Sequence, residues 1–142
     1  MSLNTIKNTL IREEKKSLCL RKKIGAVVVK NGRIIGSGYN GNSPSIPPCS
    51  VIGCAKDHFK FRPGQRNELC TGMCAEQRAM IDAIKKGYDL KGAELYSTYS
   101  PCVSCVRYMI EFGIKKVFYK IDYRDAFSRQ IQKLGKIERE KI

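Results

Sequence analysis

Leu3, Ile6, Leu10, Ile11 and Leu18 recur among charged neighbours at near-helical spacing, which predicts an amphipathic helix from Leu3 to about Leu20 lying on a core. The period then changes. Ile24-Gly25-Ala26-Val27-Val28-Val29 is a β-branched run that reads as a buried strand, and Lys30-Asn31-Gly32-Arg33 supplies the Asn-Gly signal of a two-residue hairpin turn. Arg33 to Tyr39 returns as the second strand. From Asn40 to Thr71 turn formers dominate and no periodicity holds, a connection of about thirty residues that a compact domain must tie down. A helical stripe resumes from Met73 to Lys86 with Ala75, Ala79, Met80, Ala83 and Ile84, and stops at Lys86-Gly87. Ala93 to Thr98 reads as a strand, the turn at Pro101 leads into a helix through Phe112, and Val117 to Ile121 is a further strand. Asp125 caps a last helix that runs to Leu134.

The order αββαβαβα predicts an α/β fold, a three-layer α/β/α sandwich with a central mixed sheet. With 142 residues and neither internal repeats nor low-complexity tracts, residues 1–142 are expected to form a single domain. No run of about 18 apolar residues suggests a membrane span, and the first residues lack the blocks of a secretion signal, so a cytoplasmic protein is expected. In that reducing compartment the seven cysteines point to metal binding or catalysis rather than to bridges. Lysine and arginine number 27 against 13 acidic residues, a formal charge of +14 that biases the protein toward anionic partners. The basic residues are spread along the chain, which is the pattern of a solvated basic surface.

Two segments stand out chemically: Met73-Cys74-Ala75-Glu76-Gln77-Arg78-Ala79 and Pro101-Cys102-Val103-Ser104-Cys105. Each places cysteines at the start of a helix, where the macrodipole and free backbone N–H groups favour the thiolate. Cys74, Cys102 and Cys105 converging from two such helices suit one zinc ion with its fourth position left to water. The 27 residues between Cys74 and Cys102 are enough for a helix, a loop and a strand, so both helices can begin at the same sheet edge. Glu76, two residues past Cys74, lies on a different face of its helix and is better placed to shuttle a proton than to be a ligand.

Together these residues resemble the zinc-dependent cytidine and deoxycytidylate deaminase superfamily. Within it the chain is most similar to the deoxycytidylate (dCMP) deaminases, including the late-competence type. Ser17-Leu18-Cys19-Leu20-Arg21-Lys22-Lys23-Ile24-Gly25-Ala26 is similar to that family's Ser-x-Cys-x-Arg-x-x-Val-Gly-Ala motif, Gly38-Tyr39-Asn40-Gly41 to its nucleotide-contacting turn, and Cys49 follows at the family's spacing. The resemblance runs from about Ser17 to Lys120. It implies a cytidine deaminase-like fold, zinc on Cys74, Cys102 and Cys105, catalytic proton transfer by Glu76, and hydrolytic deamination of dCMP to dUMP with release of ammonia. It also implies substrate contacts from Asn40 and from the backbone near Ala75 and Ser100, and a homo-oligomer, hexameric or dimeric; Tyr99 is a candidate for the base pocket by its place beside the zinc turn, not by the resemblance. Read without the resemblance, Asn40 is a turn residue after a strand and Tyr99 equally a packing residue.

The dCMP family usually presents histidine where this chain has Cys74; free cytidine deaminases use cysteine there, commonly with arginine directly after the glutamate, where this chain has Gln77 and then Arg78. Deamination of free cytidine or deoxycytidine is therefore the alternative, and a zinc-stabilised nucleic-acid-binding module is a third reading; polynucleotide and membrane partners are not expected. Gln77, Arg78 or the helix dipoles are needed to offset a third thiolate. In some dCMP deaminases cysteine and histidine at positions like those of Cys19, Cys49, Cys54 and Cys70 bind a second, structural zinc, which here would pin the long loop; His58 is a substitute ligand. Arg21, Lys23 and Arg62 are candidates for a substrate phosphate, each otherwise a solvated charge, and Asp82 and Asp89 read as cap or surface residues.

Overall fold

A computed structural model describes residues 1–63, 65–123 and 125–142. Helix α1 spans Leu3–Lys16, with Ser2 at its N-cap accepting from the Thr5 backbone N–H. It ends four residues short of the expected Leu20. Ser17 turns to extended backbone, and its hydroxyl donates to Asn40 Oδ1 at 2.7 Å, a long-range bond that pulls the chain away from helical conformation. Leu18 and Leu20 are left exposed.

Strands β1 (Gly25–Lys30) and β2 (Arg33–Tyr39) form the expected hairpin. Asn31 and Gly32 both take positive φ at its turn, 51° and 73°, as a type I′ connection requires. Strands β3 (Glu94–Tyr99), β4 (Lys116–Ile121) and β5 (Glu138–Lys141) complete a five-stranded sheet in the order β2-β1-β3-β4-β5. The β1 pairings are antiparallel and the β3–β4 and β4–β5 pairings parallel, so the sheet is mixed. The pattern of the sequence gave no sign of β5, because Glu138-Arg139-Glu140-Lys141 carries no apolar alternation; it lies at the sheet edge.

Alternate β1 residues serve two cores. Val27 and Val29 pack with Ile6 and Leu10 of α1 and with Tyr96, while Ala26 and Val28 face the opposite side. There they meet helix α4 (Ala75–Lys85) through Ala79, Met80 and Ala83, and helix α5 (Val103–Phe112) through Val106 and Met109. Ile131 of helix α6 (Ala126–Leu134) joins the same cluster, and Asp125 caps α6 by accepting from the Ser128 N–H. Helices therefore cover both faces of the sheet. The seat of α4 depends on two glycines of β2: a Cβ at Gly36 would stand 2.4 Å from Ala79 O, and one at Gly38 2.7 Å from Ala79 N. That close approach presses the N-terminal turn of α4 against the β2 exit.

The segment after β2 contains two short helices, α2 (Cys49–Ile52) and α3 (Ala55–His58), and a 3₁₀ turn at Asn67–Leu69. Ion pairing and backbone bonds tie it down. Arg21 pairs with Asp57 at 2.6 Å and donates to Phe61 O, Lys56 Nζ donates to Asn67 Oδ1, and Gly41 and Met73 exchange backbone bonds.

Candidate active site

Cys74 is the N-cap of α4 and Cys102 the N-cap of α5, with Cys105 in the first turn of α5. Their sulfurs all lie within 4.8 Å of one another, with Cys74–Cys102 at 4.0 Å and Cys102–Cys105 at 3.5 Å. Zn–S bonds of about 2.3 Å at tetrahedral angles put sulfurs about 3.8 Å apart, so the donor set fits zinc with little rearrangement. The three thiols share protons. Hydrogen bonding among the three sulfurs holds the Cys102 thiol far below its ordinary range and pushes the other two above theirs. A metal taking all three as thiolates must displace the protons on Cys74 and Cys105.

Glu76 is buried beside this cluster. Burial, and then the charge of Cys102, raise its carboxyl to about 7. Ser97 Oγ, in the middle of β3, donates to Glu76 Oε1 at 2.8 Å, and Cys105 Sγ lies 3.9 Å from Oε2. One carboxylate oxygen is thus anchored to the sheet and the other faces the thiols. The cluster opens into a cavity of about 460 Å³ that Cys74, Cys102 and Glu76 help to line.

Asn40, Tyr99 and Ser100 line the same cavity, and Ala75 is buried at the first turn of α4. The Asn40 side chain is largely committed to the fold: Oδ1 accepts from Ile24 N at 2.8 Å and from Ser17 Oγ, and Nδ2 donates to Lys22 O at 2.8 Å. One Nδ2 hydrogen is left for a ligand. Ser100 Oγ donates to Tyr123 O and accepts from Tyr123 N, fastening the Pro101 turn to the end of β4.

Cys19, Cys49, Cys54 and Cys70 all line the cavity, yet among the described residues Cys74, Cys102 and Cys105 are the one group of three side chains gathered for a metal. Cys49 begins α2, Cys54 caps α3, Cys70 ends the 3₁₀ turn and Cys19 lies between α1 and β1. His58 packs edge-on against Phe59. Arg21 lines the cavity, but Lys23 and Arg62 are not among its walls. Asp82 is neither cap nor free surface, since Oδ2 accepts from Ser37 N of β2 and from Lys86 Nζ. Asp89 accepts from Lys91 N as a turn residue. Gln77 reaches Ser104 Oγ, and Arg78 reaches carbonyls at the β2 exit, which leaves the helix N-termini to offset the thiolate charge.

The sequence reading missed Ser97, Lys22 and Lys56. Ser97 had a signal, a small hydroxyl in a strand buried on both faces. Lys22 and Lys56 had none, being two lysines among many. Lys22 Nζ stands 4.6 Å from the Tyr99 ring centre and 4.7 Å from that of Tyr123, and both lysines line the cavity. Burial, with Lys56 and Arg21 nearby, lowers the Lys22 pKa.

The family model of the cytidine and deoxycytidylate deaminase zinc-binding region matches residues 3–121, a span that contains the three thiols and Glu76. The chain belongs to this deaminase family. As a member of it, the chain has zinc as its cofactor, in agreement with the donor geometry. ComE operon protein 2 of Bacillus subtilis is 34% identical over 111 residues, covering 77% of this chain and 53% of that protein. The chain therefore spans about half the length of that relative. The deoxycytidylate deaminase of Mycobacterium phage D29 is 36% identical over 109 residues, 73% of this chain and 82% of its own. Among solved structures, the dCMP deaminase of cyanophage S-TIM5, in complex with dCMP and dUMP, superposes with a TM-score of 0.80 at 29% identity, covering 100% of this chain and 99% of that one. The cytidine deaminase-like α/β fold thus extends over the whole chain. Among the described residues no helix is long and apolar enough to cross a membrane.

Proposed function

We propose that the chain hydrolyses dCMP to dUMP and ammonia, with zinc held by Cys74, Cys102 and Cys105 and Glu76 as the proton carrier. The observation that carries this reading is the buried Glu76 carboxyl poised at about 7 beside three converging thiols at the wall of a nucleotide-sized cavity. Bound zinc would supply an acidified water as the nucleophile for C4 of the cytosine ring. Glu76 takes a proton from the attacking water through the oxygen facing the thiols and gives it to ring N3; it then takes the proton of the new C4 hydroxyl and passes it to the amine, so that the C4–N bond breaks, ammonia leaves and the C4 carbonyl forms. Ser97 holds the other oxygen so that the carboxyl keeps its orientation through both transfers. In the metal-free protein burial and the Cys102 charge raise this carboxyl to about 7, which marks it as a group able to take up and release a proton.

Cysteine at position 74 favours a free nucleoside by resemblance, but the cavity favours a nucleotide. Arg21, Lys22 and Lys56 line it, and among the described residues Lys22 and Lys56 pair with no carboxylate. Two unneutralised cations in a partly buried wall suit a phosphate and are costly without an anion. The binding-module reading has no use for a buried glutamate beside an open metal. The homo-oligomer follows the family, and Tyr108 on α5 and Phe127 and Leu134 on α6 are exposed apolar side chains that a second copy would cover. Ammonia release from dCMP and from deoxycytidine, measured side by side, tests the proposal: dCMP is expected to turn over with the larger kcat/KM, and equal or faster turnover of the nucleoside rejects it.

A further inference from the structure

Arg78 sits on α4 two residues past Glu76, and its guanidinium leaves the helix toward the end of β2. Nη1 donates to Tyr39 O at 2.8 Å and Nη2 to Gly41 O at 2.9 Å, and Cζ lies 4.8 Å from the Tyr39 ring centre. The two carbonyls flank Asn40. Among the described residues no carboxylate pairs with Arg78, so the planar fork is committed to backbone acceptors and one aromatic face. The stem has little room, since a Cβ at Gly38 would stand 2.9 Å from Arg78 Cβ.

A second fastening acts on the same segment from the other side. Gly41 N donates to Met73 O at 3.1 Å and Met73 N to Gly41 O at 3.0 Å, one residue before Cys74. Tyr39, Asn40 and Gly41 all line the cavity, whereas Arg78 is not among its walls. The helix that carries Cys74 and Glu76 thus grips the opposite wall of the cavity through one arginine, which does not itself reach a ligand.

We propose that Arg78 is a positioning residue: it fixes the Tyr39–Gly41 wall at a set distance from Cys74 and Glu76, and thereby governs how tightly substrate is held more than the rate of the chemical step. The inference rests on the cavity being the substrate site. Small misplacements of a binding wall are costly, so the effect should be large in KM.

Arg78→Met keeps the apolar stem and removes both donors, while Arg78→Lys keeps the charge and replaces the planar two-nitrogen fork with a single nitrogen. In zinc-loaded enzyme the methionine variant is expected to retain its zinc, to raise KM for dCMP roughly ten- to a hundredfold and to change kcat by less than about threefold. The lysine variant should fall between it and the parent. In the ligand-free protein, amide exchange at Gly41 and Met73 should quicken in the same order. A lower melting temperature with unchanged KM and unchanged exchange at those amides would reduce Arg78 to a purely structural residue and overturn the proposal. If the methionine variant does not fold, the lysine variant carries the same comparison. If the parent protein turns over no cytosine nucleotide, the deaminase reading falls on its own, and exchange at Gly41 and Met73 still decides whether Arg78 holds the wall.

Discussion

Glu76 illustrates how far one residue's chemistry is set by what surrounds it. Its place two residues after Cys74 is written locally in the sequence, but its proton affinity comes from burial and from the charge of Cys102 on another helix, while the Ser97 hydroxyl, 21 residues away, pulls it the other way. In metal-free protein the raised carboxyl pKa makes a stability prediction with a definite sign. Folding favours the protonated form, so this stabilisation is complete below about 4.5 and is lost as pH rises toward 7. The loss is at most roughly 3 kcal/mol. Urea midpoints of metal-free wild type and Glu76→Gln should therefore be similar at acid pH, diverge as pH rises from about 4.5 to about 7, and stay apart above that, with the glutamine variant the more stable; parallel midpoints across that range would contradict the assignment. The three thiols allow a second prediction, a zinc held by Cys74, Cys102 and Cys105 that Cys74→Ala diminishes, measured by elemental analysis of fully loaded protein. These four residues were legible because two short local motifs announce helix starts bearing ligands. Lys22 and Arg78 were not, and Ser97 only as a small hydroxyl in a buried strand, since their roles arise only when segments distant in sequence are brought together.

At the level of elements, the hairpin and the helices on the metal side follow from period and punctuation, and the Asn31-Gly32 turn takes the conformation its residues prefer. Strand β5 was invisible because parallel pairing with β4 and an ion-pair cluster hold it, with no apolar face to read. Asp122, at the end of β4, ties that region together: Oδ2 meets Arg129 of α6 at 2.6 Å and Oδ1 meets Arg139 of β5 at 2.9 Å. Burial works against its charge, but the guanidinium groups of Arg139 and Arg129 outweigh that and hold its pKa below the ordinary value. A depressed carboxyl contributes stability that is present above its unfolded pKa and lost as pH falls through the folded one. Asp122→Asn is thus expected to loosen α6 and β5 at neutral pH, seen as faster amide exchange in β5, and to flatten the acid limb of unfolding. The core beneath α1 makes a contrasting case. Leu10 is fully buried there, and Leu10→Ala should cost about 2 to 5 kcal/mol in denaturant unfolding with no pH dependence.

For the molecule as a whole, the excess of 27 basic over 13 acidic residues gains meaning from where a few of the cations sit. Most are solvated, but Lys22 and Lys56 stand in the cavity wall, and Lys22 is wedged between the rings of Tyr99 and Tyr123. A dianionic nucleotide approaching this protein meets a favourable field at long range and unneutralised cations at short range. The two contributions respond differently to salt. Added ions screen the long-range part beyond about 8 Å at physiological strength, while a contact in a partly buried wall is screened much less. For dCMP, kcat/KM should therefore fall as ionic strength rises and level off at a residual preference over deoxycytidine, whose own kcat/KM should barely change. Replacing Lys22 with methionine keeps the apolar stem between the two rings and removes the charge. It should abolish most of that residual preference and leave the nucleoside rate as it was. If both substrates lose activity in parallel, Lys22 shapes the cavity and reads no phosphate, and nucleotide selectivity must then come from elsewhere in its walls.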